Sequence, residues 1–216
     1  MRTRILVALL AAPLLTLSAC ATAGSGGAGS ADPPLLGAGA IPAPRPYSQA
    51  DVHFMAGMIP HHAQAVKMAA LVPDRSSRED VKILAERMAV AQGDEIALIR
   101  QWLADNNEDV PPADATHHVM DHGGMQHAML MPGMLTDEEM AQLEAARGAA
   151  FDRMFLTLMI RHHEGAIIMV NDLFGAAGAA QDDFIYKFAS DVFADQTTEI
   201  HHMQQILAQL PERSQP

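Results

Sequence analysis

The sequence predicts an all-α protein: two copies of one helical hairpin joined by a long connection. Three observations predict it. Hydrophobic residues make up 49% of the 216 residues while aromatics reach only 5%, and no Val/Ile/Thr-rich alternating runs appear, a composition that favours helices over sheets. The chain repeats itself internally. Start and stop signals for helices fall at the edges of the repeated segments.

The first repeated element begins at Asp51 in one half and at Asp152 in the other. Asp51, Phe54, Met58-Ile59 and His61-His62 recur as Asp152, Phe155, Met159-Ile160 and His162-His163, at an offset of 101. A second element follows, with Gln92, Glu95 and Ile96 recurring as Gln196, Glu199 and Ile200 at an offset of 104. Two elements, each present twice, give four helices.

Their limits are marked. Ser48 with Asp51, Ser76 with Glu79, and Thr136 with Glu139 have capping-box spacing. Pro73 stops the first helix, and Gly175 and Gly178 stop the third. The expected helices span 48–72, 76–106, 136–175 and 181–210. Leu84, Met88, Ile99 and Trp102 on the second, and Ile185, Phe188, Val192, Ile200 and Met203 on the fourth, recur at helical spacing and form the expected core faces. Short links within each half make antiparallel hairpins, and residues 107–135 form a crossover between halves. That is a four-helix bundle with one long connection, the ferritin-like arrangement. Pro60, inside the first helix where the third has Arg161, removes one helical hydrogen bond and is expected to bend the helix.

Residues 1–19 are expected to be removed. Arg2 and Arg4 precede an apolar run from Ile5 to Leu17, shorter than the ~20 residues that span a bilayer and of signal-peptide length. The run ends in Leu17-Ser18-Ala19-Cys20, and Cys20 is the one cysteine. This resembles the lipobox of bacterial lipoproteins, which implies cleavage before Cys20 and lipid on its thiol; the alternative is a plain signal peptide and an incidental Cys. Residues 20–46 are rich in Gly, Ala, Ser and Pro and read as the lipidated Cys and a flexible tether. The domain is assigned to residues 47–213. Without its two leader arginines the chain keeps 12 basic against 26 acidic residues, a charge near −14, which excludes nucleic acid as a partner. A single Cys excludes an intramolecular disulfide.

The chemistry-bearing residues fall in two groups. On the helices, Met58 lies one turn before His61 and His62, and Met159 one turn before His162 and His163. Adjacent His diverge by ~100°, so His62 and His163 are expected to face inward and His61 and His162 to lie nearer the rim. Glu95 and Glu199, with Gln92 and Gln196, are offered by the partner helices. These groups are read either as metal ligands or as polar residues that hydrogen-bond one another and fix the helix register. The second group is the crossover, with His117, His118, Met120, His122, Met125, His127, Met129, Met131 and Met134: four His and five Met in 18 residues. Thioether is soft and selects Cu(I), and imidazole serves Cu(I) and Cu(II). Neither has to lose a proton to bind at neutral pH as a thiol does, and Cys ligands would risk oxidation outside the cytoplasm. Packing of Met over the end of the bundle is the alternative. Met68, Met88, Met140, Met154, Met169 and Met203 sit at core spacing and are read as packing. Glu199-x-x-His202 has di-iron ligand spacing, but Leu98 stands at the matching place in the first half.

Met-Ile-Pro-His-His at 58–62, Met-Ile-Arg-His-His-Glu at 159–164 and the two Gln-x-x-Glu segments resemble the secreted bacterial family known as domain of unknown function 305, over roughly residues 47–210. The resemblance implies a ferritin-like fold and a link to copper binding and tolerance. The expected function is therefore copper sequestration, tolerance or delivery by a membrane-anchored lipoprotein in the periplasm or at the cell surface, with Cu(I) the favoured ion and Cu(II) the alternative. No nucleophile–base arrangement, phosphate loop or Cys-based zinc site appears, so no enzyme activity is expected. The competing readings are a metal-free helical interaction module and, behind it, a ferritin-like di-metal oxidoreductase. The expected partners are the metal ion and the membrane; a copper-accepting protein and a homo-oligomer are compatible with this reading.

Overall fold

The computed structural model describes residues 46–115, 118–121 and 126–211. The signal segment, Cys20, most of the tether, His117, His122 and Met125 lie outside the described residues. The elements run α1 (Gln49–Ala70), α2 (Val72–Arg75), α3 (Glu79–Asp105), β1 (His118–Asp121), β2 (Gln126–Met129), α4 (Asp137–Ala145), α5 (Gly148–Gly175) and α6 (Asp183–Ala208).

The helical architecture is as expected. α1 and α3 form one antiparallel hairpin, α5 and α6 the other, and the hairpins meet along α1 and α5. The predicted core faces of α3 and α6 are all buried, from Leu84 and Trp102 to Ile185 and Met203. Two apolar clusters result. One gathers Phe54, Met58, Ile99, Leu173 and Phe188. The other gathers Met68, Met88, Phe151, Phe155 and Met203.

Two of the three capping boxes form as predicted. Ser48 and Thr136 each accept from the backbone three residues on, and Asp51 and Glu139 accept in return. Ser76 does not cap in that way: its hydroxyl accepts from the Arg78 amide, and α3 starts at Glu79 behind an uncapped Arg78. Pro73 sits in the first turn of the short α2 after α1 has ended at Ala70, the place where a missing N–H costs nothing.

The expected third helix, 136–175, is two helices. Ala146 and Arg147 are extended and Gly148 has φ 59°, so a left-handed glycine breaks the run. Arg161 binds the break together. Its guanidinium donates to both Glu139 carboxylate oxygens at 2.6 Å each, tying α4 to α5. This arginine stands where α1 has Pro60, and α1 runs unbroken through that proline.

The crossover, in a chain expected to be all-α, contains a short antiparallel ribbon that pairs His118 with Met129 and Asp121 with Gln126. β1 lies beside α1. The crossover's last residues belong to the core: Met134 and Leu135 are buried. Gln64 of α1 holds that end in place, donating to the Leu135 carbonyl at 2.9 Å and accepting from its amide at 2.7 Å. Among the described residues, no helix is long and apolar enough to cross a membrane.

Candidate metal-binding site

His61, His62, His162 and His163 are all inside, with exposures of 0%, 0%, 1% and 0%. The expectation that His61 and His162 lie nearer the rim is therefore wrong. It treated each helix as having one covered face. α1 is covered by α3, by α5 and by the crossover end, and α5 by α1, by α6 and by residues 132–133. The two imidazoles of a pair diverge, as the helix requires, but each points at a different neighbour.

The arrangement follows from the duplication. His61 and His162 face each other across the α1–α5 interface, ring centroids 3.9 Å apart. His62 and His163 instead turn toward the second helix of their own hairpins. His62 Nε2 lies 2.7 Å from a Glu95 oxygen, and His163 Nε2 lies 2.8 Å from a Glu199 oxygen. The His163 contact has hydrogen-bond geometry; the His62 contact is as short but misaligned, leaving that nitrogen without a hydrogen bond. Gln92 and Gln196 are buried one turn before the two glutamates. Met58 and Met159 are fully buried one turn before the imidazoles. Asp152, which repeats the capping residue Asp51, is buried as well.

At His61 and His162 the electrostatics favour neutral imidazole. Burial pushes His61 down to about 3, and the neighbouring His62 pushes in the same direction, while its contact with the Pro132 carbonyl opposes both. His162 is held well below the usual histidine range by burial, then by His61 and His163. Outside the imidazoles, Asp195 sits with Glu95 and Glu199; partial burial, then those two carboxylates, raises its pKa. An acidic group thus flanks the side of the core opposite the neutral His61–His162 pair.

Unpartnered nitrogens mark the core as polar and unsatisfied. His61 Nδ1, both nitrogens of His62 and His162, and His163 Nδ1 have no hydrogen-bond partner, nor do the Gln92 amide and the Gln196 carbonyl oxygen. A buried polar group without a partner costs about 1–3 kcal/mol, and native interiors leave few of them. Neutral imidazole nitrogens are also the commonest metal ligands, so the residues fit a soft or borderline cation. Among the described residues no three His, Cys, Asp or Glu side chains converge to hold an ion.

A family model described as Domain of unknown function (DUF305) matches residues 51–207. The chain belongs to the DUF305 family. A DUF305 protein of Streptomyces coelicolor described as secreted is 31% identical, with 74% of this chain and 92% of that one covered and a TM-score of 0.61. A DUF305 fragment from Deinococcus radiodurans is 26% identical, covering 76% and 99%, with a TM-score of 0.62. The Cu(II)-bound form of CopM is 26% identical, covering 73% and 95%, with a TM-score of 0.57; CopM is also solved in Cu(I)-bound and Ag-bound forms. Among curated proteins none matches this chain.

Within this DUF305 domain the sequence-predicted residues separate. His61, His62, His162 and His163 come together in the helical core, Glu95 and Glu199 each meet one of them, and Met58 and Met159 are buried one turn away in separate apolar clusters. The ribbon carries the backbones of His118, Met120, His127 and Met129. Met131 and Met134, expected on a surface loop, pack against the helices instead. Glu199 faces His163, while His202 of the Glu-x-x-His motif is exposed. Gln64 and Gly165 were missed. A Cβ on Gly165 would lie 1.9 Å from the Pro132 carbonyl oxygen, and a glycine in the middle of a long helix was the available signal for such an approach.

Proposed function

We propose that this chain is an extracytoplasmic copper-binding lipoprotein that sequesters the ion or hands it to a protein acceptor. The observation that carries this reading is the buried quartet of His61, His62, His162 and His163, with two imidazoles held neutral and most ring nitrogens unpartnered. An imidazole that is already neutral loses no proton on binding a metal. The quartet takes its remaining ligands from Met58 and Met159, or from Glu95 and Glu199 by small rotations of the imidazoles. Soft thioethers favour Cu(I), and the carboxylates accommodate Cu(II). The likeness to CopM, solved with copper bound, supports the same ion. The description of the Streptomyces relative as a secreted protein and the Leu-Ser-Ala-Cys20 segment support export and anchoring.

Metal analysis tests the proposal. The purified protein is exposed to Cu(I), Cu(II), Zn(II) and Fe(II), passed through a desalting column and analysed for bound metal. Retention of copper in preference to zinc and iron is expected. No retained copper refutes the reading and favours an interaction module in which the His–Glu pairs serve only to register the helices, a role that the 2.8 Å His163–Glu199 bond supports.

A further inference from the structure

A separate cavity lies where the crossover re-enters the domain. It has a volume of about 260 Å³ and is lined by His53 and Phe54 of α1, by Met169 and Asp172 of α5, and by Leu130 and Met131 of the crossover. Helical spacing aligns its walls. His53 and Gly57 are one turn apart on α1, and Met169 and Asp172 are one turn apart on α5.

Gly57 is where the two methionines meet. A Cβ built there would lie 2.7 Å from Met131 Cε, 3.6 Å from Met131 Sδ and 3.6 Å from Met169 Cε. The missing side chain therefore makes the space that the Met131 thioether and the Met169 methyl occupy. The internal repeat breaks at these positions: His53 corresponds to Met154, and Gly57 to Leu158, a partly buried packing residue. The second half therefore offers no matching His and Gly pair, and the cavity, walled by α1, α5 and the crossover, has no equivalent built from the repeat.

We propose that His53, Met131 and Met169 form a second metal site, distinct from the histidine quartet, that takes a soft monovalent cation such as Cu(I). Two thioethers and one imidazole are a soft donor set with little attraction for zinc or for hard cations. Asp172 at the wall adds negative charge near the ion. Met131 precedes Pro132, whose carbonyl oxygen contacts His61 Nε2 at 3.0 Å, so a ligand of this site is next in the chain to a residue that touches the quartet. The proposal deepens the copper reading, and its chemistry does not require that the quartet bind metal.

The test uses the full chain labelled with 13C at the methionine methyls and titrated with Ag(I), a redox-inert soft cation, and with Cu(I). Met131→Leu and Met169→Leu assign the two resonances. Both methyls are expected to shift together at the first additions, and each Leu variant to lose one tightly bound equivalent while keeping its melting temperature. His53→Ala is expected to do the same. Gly57→Ala removes no ligand; by displacing the Met131 thioether it is expected to weaken the site about 10–100-fold. In His62→Ala/His163→Ala both methyls still shift. Methyls that stay in place as metal is added, or a stoichiometry unchanged in the Met131 and Met169 variants, would overturn the proposal. Loss of the methyl shifts in the quartet variant would overturn its independence. Methyl shifts in a protein whose quartet holds no copper would refute the quartet alone.

Discussion

The His61 and His162 rings pack at a centroid distance of 3.9 Å and an inclination of 44°, bringing the two halves of the duplicated chain into contact through the same residue of each. Two imidazoles this close and this buried cannot both carry charge at modest cost. The pair therefore ties the stability of the metal-free domain to pH.

Both groups have depressed pKa values in the folded protein, His61 at about 3. An unfolded histidine titrates near 6.5. Between these limits the unfolded chain binds more protons than the folded one, so stability rises with pH; it is fully present above 6.5 and is lost as pH falls toward 3. Each histidine contributes a slope of up to about 1.4 kcal/mol per pH unit in that window. Urea denaturation of the metal-free protein at pH 7.5, 6.5, 6.0 and 5.5 measures it. A stability that is flat over this range, or a slope that persists in His61→Gln/His162→Gln, contradicts the assignment.

Gln64 is predicted to be as important to the fold as a core hydrophobe. Its amide satisfies both backbone groups of buried Leu135. Gln64→Ala strands an N–H and a C=O, at about 1–3 kcal/mol for each group left unpaired. A melting temperature lower by about 5 °C or more is expected, with faster proteolysis within residues 107–135. A change under a degree would show that water replaces the amide without loss.

The duplication was readable because Asp, Phe, Met-Ile and His-His keep fixed spacing through both copies, and helical periodicity then fixed the buried faces of α3 and α6. What the sequence concealed depends on neighbours from elsewhere in the chain. Whether His61 is at the rim or the centre is decided by α5 and by Pro132, about 70–100 residues away. The role of Gln64 is set by Leu135, and neither residue type advertises it. Met131 and Met134 look like loop ligands in one dimension because nothing local shows the chain turning back onto α1 and α5. The break between α4 and α5 is more accessible: Gly148, inside the expected helix, is the residue type that adopts a positive φ without strain.

Gly165→Ala tests how closely the crossover end must approach. The new methyl would sit 1.9 Å from the Pro132 oxygen and 2.8 Å from the Gly133 Cα, both backbone, so the segment has to lift from α5. Overpacking of this kind costs about 1–3 kcal/mol, and the contact of His61 with the Pro132 carbonyl opens with it. Lower stability is expected together with a changed His61 ring resonance. An unaltered His61 signal would mean that the segment does not move as a unit.

Anchoring is tested outside the described residues. Cys20 follows Leu17-Ser18-Ala19, so the mature chain is expected to begin at Cys20 and to partition into detergent. Cys20→Ala is expected to release the domain or leave it unprocessed. Unchanged membrane association in that variant would remove the lipoprotein assignment and leave the copper reading untouched.

The two sequence-predicted copper regions differ in how many ligand-type residues they supply, and this separates their mutational signatures. The ribbon region, 117–129, supplies His117, His118, Met120, His122, Met125, His127 and Met129 on one stretch of chain, so neighbours can substitute for one another. The quartet supplies few ligands, each fixed by its helix. A deletion that tests the first must stop at Met129, because Pro132 to Leu135 are packed against α5 and held by Gln64; a cut extending to 134 would damage the fold itself. We expect replacement of residues 117–129 by a short Gly-Ser link to leave melting unchanged and to remove most Cu(I) capacity. A single Met120→Leu should have little effect. His62→Ala/His163→Ala should lower the copper that remains, and melting of the metal-free protein separates a lost ligand from a lost core hydrogen bond. His163 makes such a bond to Glu199, so a fall of about 1–3 kcal/mol with unchanged metal content would assign the quartet to packing. Unchanged copper content in both the deletion and the double variant would end the case for copper in these two regions.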